Sequence, residues 1–183
     1  LGLVPPVTRL AASALAAACL ACAGPLEFGS DEGDDTSDAG TPTPEGDAEA
    51  FLAAHNAVRD EVGVPPLAYD ADVERSALAW ATSLADDDCA FEHEDQGDYG
   101  ENLWWSSYDP SPAEVVEGWA SEEAFYDYDS NRCDRGKACG HYTQVVWADS
   151  EVLGCGKGTC DSGAVIWACR YDPPGNWVGE RPY

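Results

Sequence analysis

Three histidines, His55, His93 and His141, are all the imidazoles in the chain. Acid–base chemistry near neutral pH and transition-metal binding both rest mainly on histidine, so these residues bound what the chain can do in either class. None has the HExxH spacing that sets two ligands on one helical face, and no CxxC pair suggests a zinc site. There is no GxSxG elbow or phosphate-binding loop, and no serine has an evident triad context. Any active constellation must therefore be assembled from residues far apart in sequence. His55, in Ala54-His55-Asn56, lies on an apolar helical face, where a hydrogen-bonded packing role is the default over a ligand role. His93 follows Cys89 by four residues in an acidic loop, and His141 follows Gly140 and leads the apolar run Tyr142 to Trp147.

The elements that must position these residues are read from periodicity. Phe51, Leu52, His55, Val58 and Val62 recur at helical spacing, and Gly63 stands where that helix would end. Val73, Ala77, Trp80 and Leu84 predict a second helix over Asp72 to Leu84. Asp86-Asp87-Asp88 is assigned to a loop, since three acids would oppose the dipole at a helix end. Ser111-Pro112-Ala113-Glu114 is a capping box with proline in the first turn. It opens a third helix in which Val115, Val116, Trp119 and Tyr126 share one face. Glu122 and Glu123 fall near that face, where a carboxylate must snorkel out or find a partner. Glu151 to Lys157 and Ala164 to Tyr171 are short strand-like runs, and Asp161-Ser162-Gly163 can turn one into the other. The run His141 to Trp147 fits strand or helix equally. Helices first and strands later predict an α+β fold with a mainly antiparallel sheet.

Eight cysteines in 183 residues suit an exported protein better than a reducing compartment. Residues 1–23 hold one basic residue, Arg9, before an apolar run from Leu10 to Ala23 that is shorter than the about 20 residues of a membrane span. They are read as a signal peptide. Leu20-Ala21-Cys22 resembles an imperfect bacterial lipobox, with Cys22 as the lipidated residue. Ala21-Cys22-Ala23 also fits ordinary cleavage and free secretion, the less favoured of the two readings. Setting aside Cys19 and Cys22 leaves six cysteines, an even number able to form three bridges. Residues 24–47, with eight acids and no bases, are read as an acidic disordered linker. Residues 48–183 form the folded domain; they carry 27 acids against eight bases, a net charge of −19. Such a field repels nucleic acid and anionic membrane surfaces, so no nucleic-acid partner is expected and a membrane only through a lipid anchor.

Five segments together resemble the CAP superfamily of cysteine-rich secretory proteins, venom antigens and pathogenesis-related proteins, the plant pathogenesis-related-one group most closely. They are His55-Asn56 with Arg59 and Gly63-Val64-Pro65-Pro66-Leu67; Ala79-Trp80-Ala81; Tyr99-Gly100-Glu101-Asn102-Leu103-Trp104; Gly140-His141-Tyr142-Thr143-Gln144-Val145-Val146-Trp147; and Tyr171-Asp172-Pro173-Pro174-Gly175-Asn176-Trp177 running on to Arg181-Pro182-Tyr183. The lipobox reading makes this a bacterial lipoprotein version.

The resemblance implies a three-layer α-β-α sandwich and a cleft holding His93, Glu101, Glu122 and His141. It implies the bridges Cys89–Cys155, Cys133–Cys139 and Cys160–Cys169. Two departures stand out: Glu94 replaces the usual serine after the first histidine, and Tyr69 replaces a common tryptophan. The function expected is a non-enzymatic extracellular module that binds lipid, sterol or a protein partner, either secreted or lipid-anchored at the cell envelope. Its histidine pair, His93 and His141, is expected to bind a divalent metal, zinc foremost. The alternative is a metal-dependent hydrolase or peptidase using the same cleft. Pro173 to Tyr183 resembles the peptide that plant relatives are thought to release as a signal; the competing reading is an ordered tail closing the sandwich.

Overall fold

The computed structural model describes residues 45–95 and 97–183. The segment expected to be a signal peptide, Cys22 and most of the expected linker lie outside the described residues. Helix α1 is Glu45–Val62 and strand β1 is Ala68–Tyr69; helix α2 is Ala71–Asp86 and strand β2 is Gly100–Ser106. Helix α3, Pro112–Ala120, runs into a 3₁₀ turn, Ser121–Phe125, and a small hairpin of β3, Tyr126–Asp127, and β4, Arg132–Cys133. Helix α4 is Gly140–Val145, and strands β5, Val152–Thr159, and β6, Val165–Asp172, complete the domain.

The main sheet has the order β1-β5-β6-β2, with only the short β1–β5 pair parallel. It is the centre of an α-β-α sandwich. Alternation along β5 and β6 sorts their side chains to two faces. Leu153, Cys155, Val165, Trp167, Cys169 and Tyr171 join the cluster built with Phe51 of α1, Val115, Val116 and Trp119 of α3, and Tyr142 and Val145 of α4. Ile166 and Ala168 face Ala81, Leu84 and Ala85 of α2 on the other side, with Leu103 of β2. Strand β5 presents Gly154, Gly156 and Gly158 to α2. A Cβ at any of them would stand 2.0–2.2 Å from α2 backbone atoms, so the helix lies directly on bare strand.

Local chemistry explains the element ends. Gly63, at φ 76°, takes the left-handed conformation that stops α1. The α1 helix starts earlier than expected, so Glu45 to Asp47 are helical rather than linker; acids suit a first turn, where backbone N–H groups point outward. Asp70 caps α2, its Oδ1 accepting the N–H groups of Asp72 and Val73 at 2.8 and 3.0 Å. Asp86 ends α2, and only the rest of the acidic run leaves the helix. The capping box of α3 forms with both reciprocal bonds. That helix is shorter than its apolar face suggests: it ends at Ala120, and Tyr126 belongs to β3. The ambiguous run is resolved as one short helix, α4, followed by a turn.

All six domain cysteines are bridged, but two of the expected pairings are corrected. The bridges are Cys89–Cys160, Cys133–Cys139 and Cys155–Cys169. Register decides this: Cys155 and Cys169 stand opposite each other on the same face of the β5–β6 ladder, their Cα atoms 4.1 Å apart. Cys160 lies past the end of β5, beside the turn that follows α2, and takes Cys89. Pro173 to Tyr183 is tied to the domain along its length. Ser150 Oγ donates to the Pro173 carbonyl at 2.8 Å, Asn131 Nδ2 to that of Glu180 at 2.8 Å, and the Ala148 N–H to that of Pro182 at 2.7 Å.

Candidate functional site

Strand β2 is an edge strand, and its successive side chains part to the two faces of the sheet. Glu101 goes with Arg170 toward α2, where Arg170 also bonds Ser76. Asn102 goes the other way. Its Nδ2 donates to the His141 carbonyl at 3.0 Å and to the Tyr171 hydroxyl at 3.1 Å. Tyr171 in turn donates to His55 Nε2 at 2.8 Å, because the other ring nitrogen of His55 donates to the Phe51 carbonyl at 2.8 Å. His55 is thus a fully buried link between α1 and the sheet, not a ligand. Burial pushes its imidazole down to about 4, so it is neutral at physiological pH.

The four cleft residues form two pairs. Glu122, on the 3₁₀ turn, holds His141 Nδ1 at 2.7 Å through Oε1. Its Oε2 accepts the backbone N–H groups of His141 and Tyr142 at 2.9 and 3.3 Å. Cys139 offers α4 no side-chain cap, so Glu122 caps that helix from a distance and orients its histidine together. The His141 ring stacks on Trp119, centroids 6.1 Å apart and planes 16° from parallel. In the other pair, His93 Nδ1 meets Glu101 Oε1 at 2.8 Å. The His93 side chain is 62% exposed, and Glu101 only 9%. The bond to Glu101 raises the His93 pKa from its ordinary value, against a smaller opposing effect of burial. Glu94 takes Arg170 Nη2 at 2.7 Å, which leaves Glu101 at a looser 3.4 Å from the same nitrogen.

The pairs border different concavities. His141 and Glu122 stand at the wall of a groove of about 550 Å³ along β2, lined by Phe91, Leu103, Trp104, Trp105 and Trp119. Gly118 makes room there: a Cβ would meet the Trp104 ring at 2.4 Å. His93, Glu94, Glu101 and Arg170 border a second, polar pocket of about 290 Å³. Among the described residues no three His, Cys, Asp or Glu side chains are grouped to hold a metal ion. Each cleft imidazole nevertheless has one nitrogen fixed by a carboxylate and Nε2 left over, the arrangement in which carboxylate-oriented histidines ligate metals.

The family model described as the cysteine-rich secretory protein family, CAP, matches residues 52–171. The chain belongs to this family. Within the CAP family it is similar to pathogenesis-related protein 1C of Nicotiana tabacum, 48% identical over 134 residues that cover 73% of this chain and 79% of the relative. It is also similar to pathogenesis-related leaf protein 4 of Solanum lycopersicum, 47% identical over 133 residues, covering 73% and 81%. Among solved structures, the crystal structure of NaASP2 with Zn2+ superposes with a TM-score of 0.63 at 26% identity, covering 79% of this chain and 88% of that one. A secretory family and three bridges identify a secreted protein. The relatives named are plant proteins, which lends no support to a bacterial lipoprotein or a lipid anchor. Of the residues that matter around this CAP cleft, Asn102, Trp119 and Tyr171 carried no functional signal of their own, although Asn102 and Tyr171 lie within family segments. Arg170 carried none at all. Glu94 did carry one, as the departure whose carboxylate meets Arg170.

Proposed function

We propose that this secreted CAP protein is a non-enzymatic binding module that holds a sterol or an acyl chain in the groove along β2. The observation that carries the proposal is the lining. A volume of about 550 Å³ walled by aromatic rings lies within the roughly 300–1,000 Å³ of small-molecule sites. A purely structural role suits Trp119 and Leu103, which are buried. It does not suit Phe91 and Trp105, which remain 55% and 48% exposed at the groove. The test is uptake of labelled cholesterol, and separately of a labelled acyl chain, from neutral vesicles. The double change Phe91→Ser and Trp105→Ser should weaken uptake about tenfold, and no uptake by the unaltered protein overturns the proposal.

A divalent transition metal, zinc foremost, is proposed as a second ligand, taken through Nε2 of His93 and His141 with Glu101 and Glu122 behind the rings. The unengaged Nε2 atoms support it, as does the relative crystallised with Zn2+. Calorimetric titration with zinc should show a loss in the double change His93→Ala and His141→Ala. Equal binding would place the ion on the acidic surface. The hydrolase alternative is not favoured, because it needs three ligands and a base together, a grouping not found among the described residues. A protein partner and a released tail are weaker proposals still; intact protein in culture fluid, without the Pro173–Tyr183 peptide, would dismiss the latter.

A further inference from the structure

The groove is apolar along most of its length but polar at one wall, where His141 and Glu122 stand. The hydrogen-bond network fixes what that wall presents. A carboxylate oxygen only accepts, so Glu122 Oε1 requires the proton of His141 to sit on Nδ1. In the neutral ring Nε2 is then a bare acceptor, with no partner among the described residues. Both Glu122 oxygens are engaged, Oε1 by the ring and Oε2 by two backbone N–H groups. The carboxylate therefore contributes charge to the wall, while His141 Nε2 contributes the hydrogen-bonding atom. The stack on Trp119 sets the plane of the ring, so the acceptor is held in place beside the apolar walls.

From this geometry we infer that the groove selects amphiphiles by their head group: it takes a hydrogen-bond donor, a hydroxyl or a protonated amine, and rejects a carboxylate. The inference rests on the groove being a lipid site and adds which end chemistry it accepts. A hydroxyl donates to Nε2. An ammonium does the same and gains from the adjacent negative charge. A carboxylate brings acceptor to acceptor and negative charge toward Glu122, inside a domain of net charge −19. A misplaced charge in a low-dielectric groove is costly, and like charges add to that cost.

The test is displacement of Nile red, an uncharged apolar dye, from the full-length protein by 1-decanol, decylamine and decanoate. It is run with a chelator present, since a bound metal would use the same Nε2. The alcohol and the amine should displace the dye at concentrations at least about tenfold lower than decanoate. His141→Phe keeps a ring against Trp119 and removes the acceptor; in it the alcohol's advantage over methyl decanoate should shrink to within about twofold. Dye binding with equal displacement by all three overturns the head-group inference and leaves the groove reading standing. Absence of dye binding overturns both.

Discussion

The two histidine–glutamate pairs look alike in sequence and are built differently. His141–Glu122 is an inner pair. Its carboxylate also caps α4, its ring lies on a buried tryptophan, and its backbone carbonyl is reached through Asn102 and Tyr171 by the buried His55. His93–Glu101 is an outer pair. Its histidine is largely exposed on the segment between α2 and β2, tied to the sheet through Arg170 and, at the start of that segment, the Cys89–Cys160 bridge. A cleft histidine can thus be held by secondary structure or by staples, and the two modes should fail under different insults.

The largest expected effect is on the outer side. Replacing Cys89 and Cys160 together by serine opens a loop of 71 residues, a loss of about 4 kcal/mol on chain-entropy grounds. His93 ring resonances should broaden or shift more than those of His141, whose groove Cys89 and Phe91 also line. Equal perturbation of both would erase the distinction, and peptide mapping of the oxidised protein must first find Cys89 joined to Cys160.

Acid should strike the inner side. The His55 imidazole is depressed from 6.5 to about 4 in the folded protein, so the unfolded chain binds the extra proton. The stability contributed by this buried neutral ring is complete above about 6.5 and is lost as pH falls toward about 4, reaching about 3 kcal/mol. Urea denaturation across that window should show the loss, and His55→Gln should flatten it. A slope unchanged in the variant would assign the acid sensitivity to carboxylates elsewhere.

Next come the carboxylates themselves. Glu122→Ala leaves two backbone donors of α4 and an imidazole N–H unpaired and should cost about 2–3 kcal/mol, whereas Glu101→Ala, with Arg170 still paired to Glu94, should cost about 1 kcal/mol. Denaturation midpoints that coincide would refute the inner and outer division. The smallest effect has the opposite pH sense. The raised pKa of His93 means its pair stabilises below the ordinary imidazole value and the benefit fades as pH rises through the folded value. With so exposed a ring this amounts to under about 1 kcal/mol. Titration of the His93 resonance, with Glu101→Gln as the comparison, measures it.

Much of the inner side was legible in the sequence. The periodicity through Phe51, His55 and Val62, the capping box at Ser111, and the turn at Asp161-Ser162-Gly163 each encode local geometry in local residues, and each formed. What resisted was non-local. The α4 run reads as strand or helix because its cap, Glu122, comes from 19 residues away. The identity of β2 was missed because an edge strand between two unlike layers has no clean alternation of apolar and polar residues. The bridge partners were misjudged because spacing does not state the β5–β6 register that sets Cys155 against Cys169.

The glycine face of β5 carries one more consequence. Helices usually lock on a sheet through side chains that interdigitate, and these fix position along the axis as well as distance. Gly154, Gly156 and Gly158 offer α2 closeness but no teeth. Over β5 the helix is a rail on a smooth bed, so its axial register falls to the β6 side chains Ile166 and Ala168, which meet Ala81, Leu84 and Ala85, and to stops at its two ends. One stop is Asp70, whose N–H bonds the Leu153 carbonyl at 2.9 Å while its side chain caps the helix. The other is Cys89, three residues past the last turn. Weakening either end stop shifts more of that task onto Ile166, Ala168 and the Ser76–Arg170 bond, the contact that leads from α2 to the polar pocket.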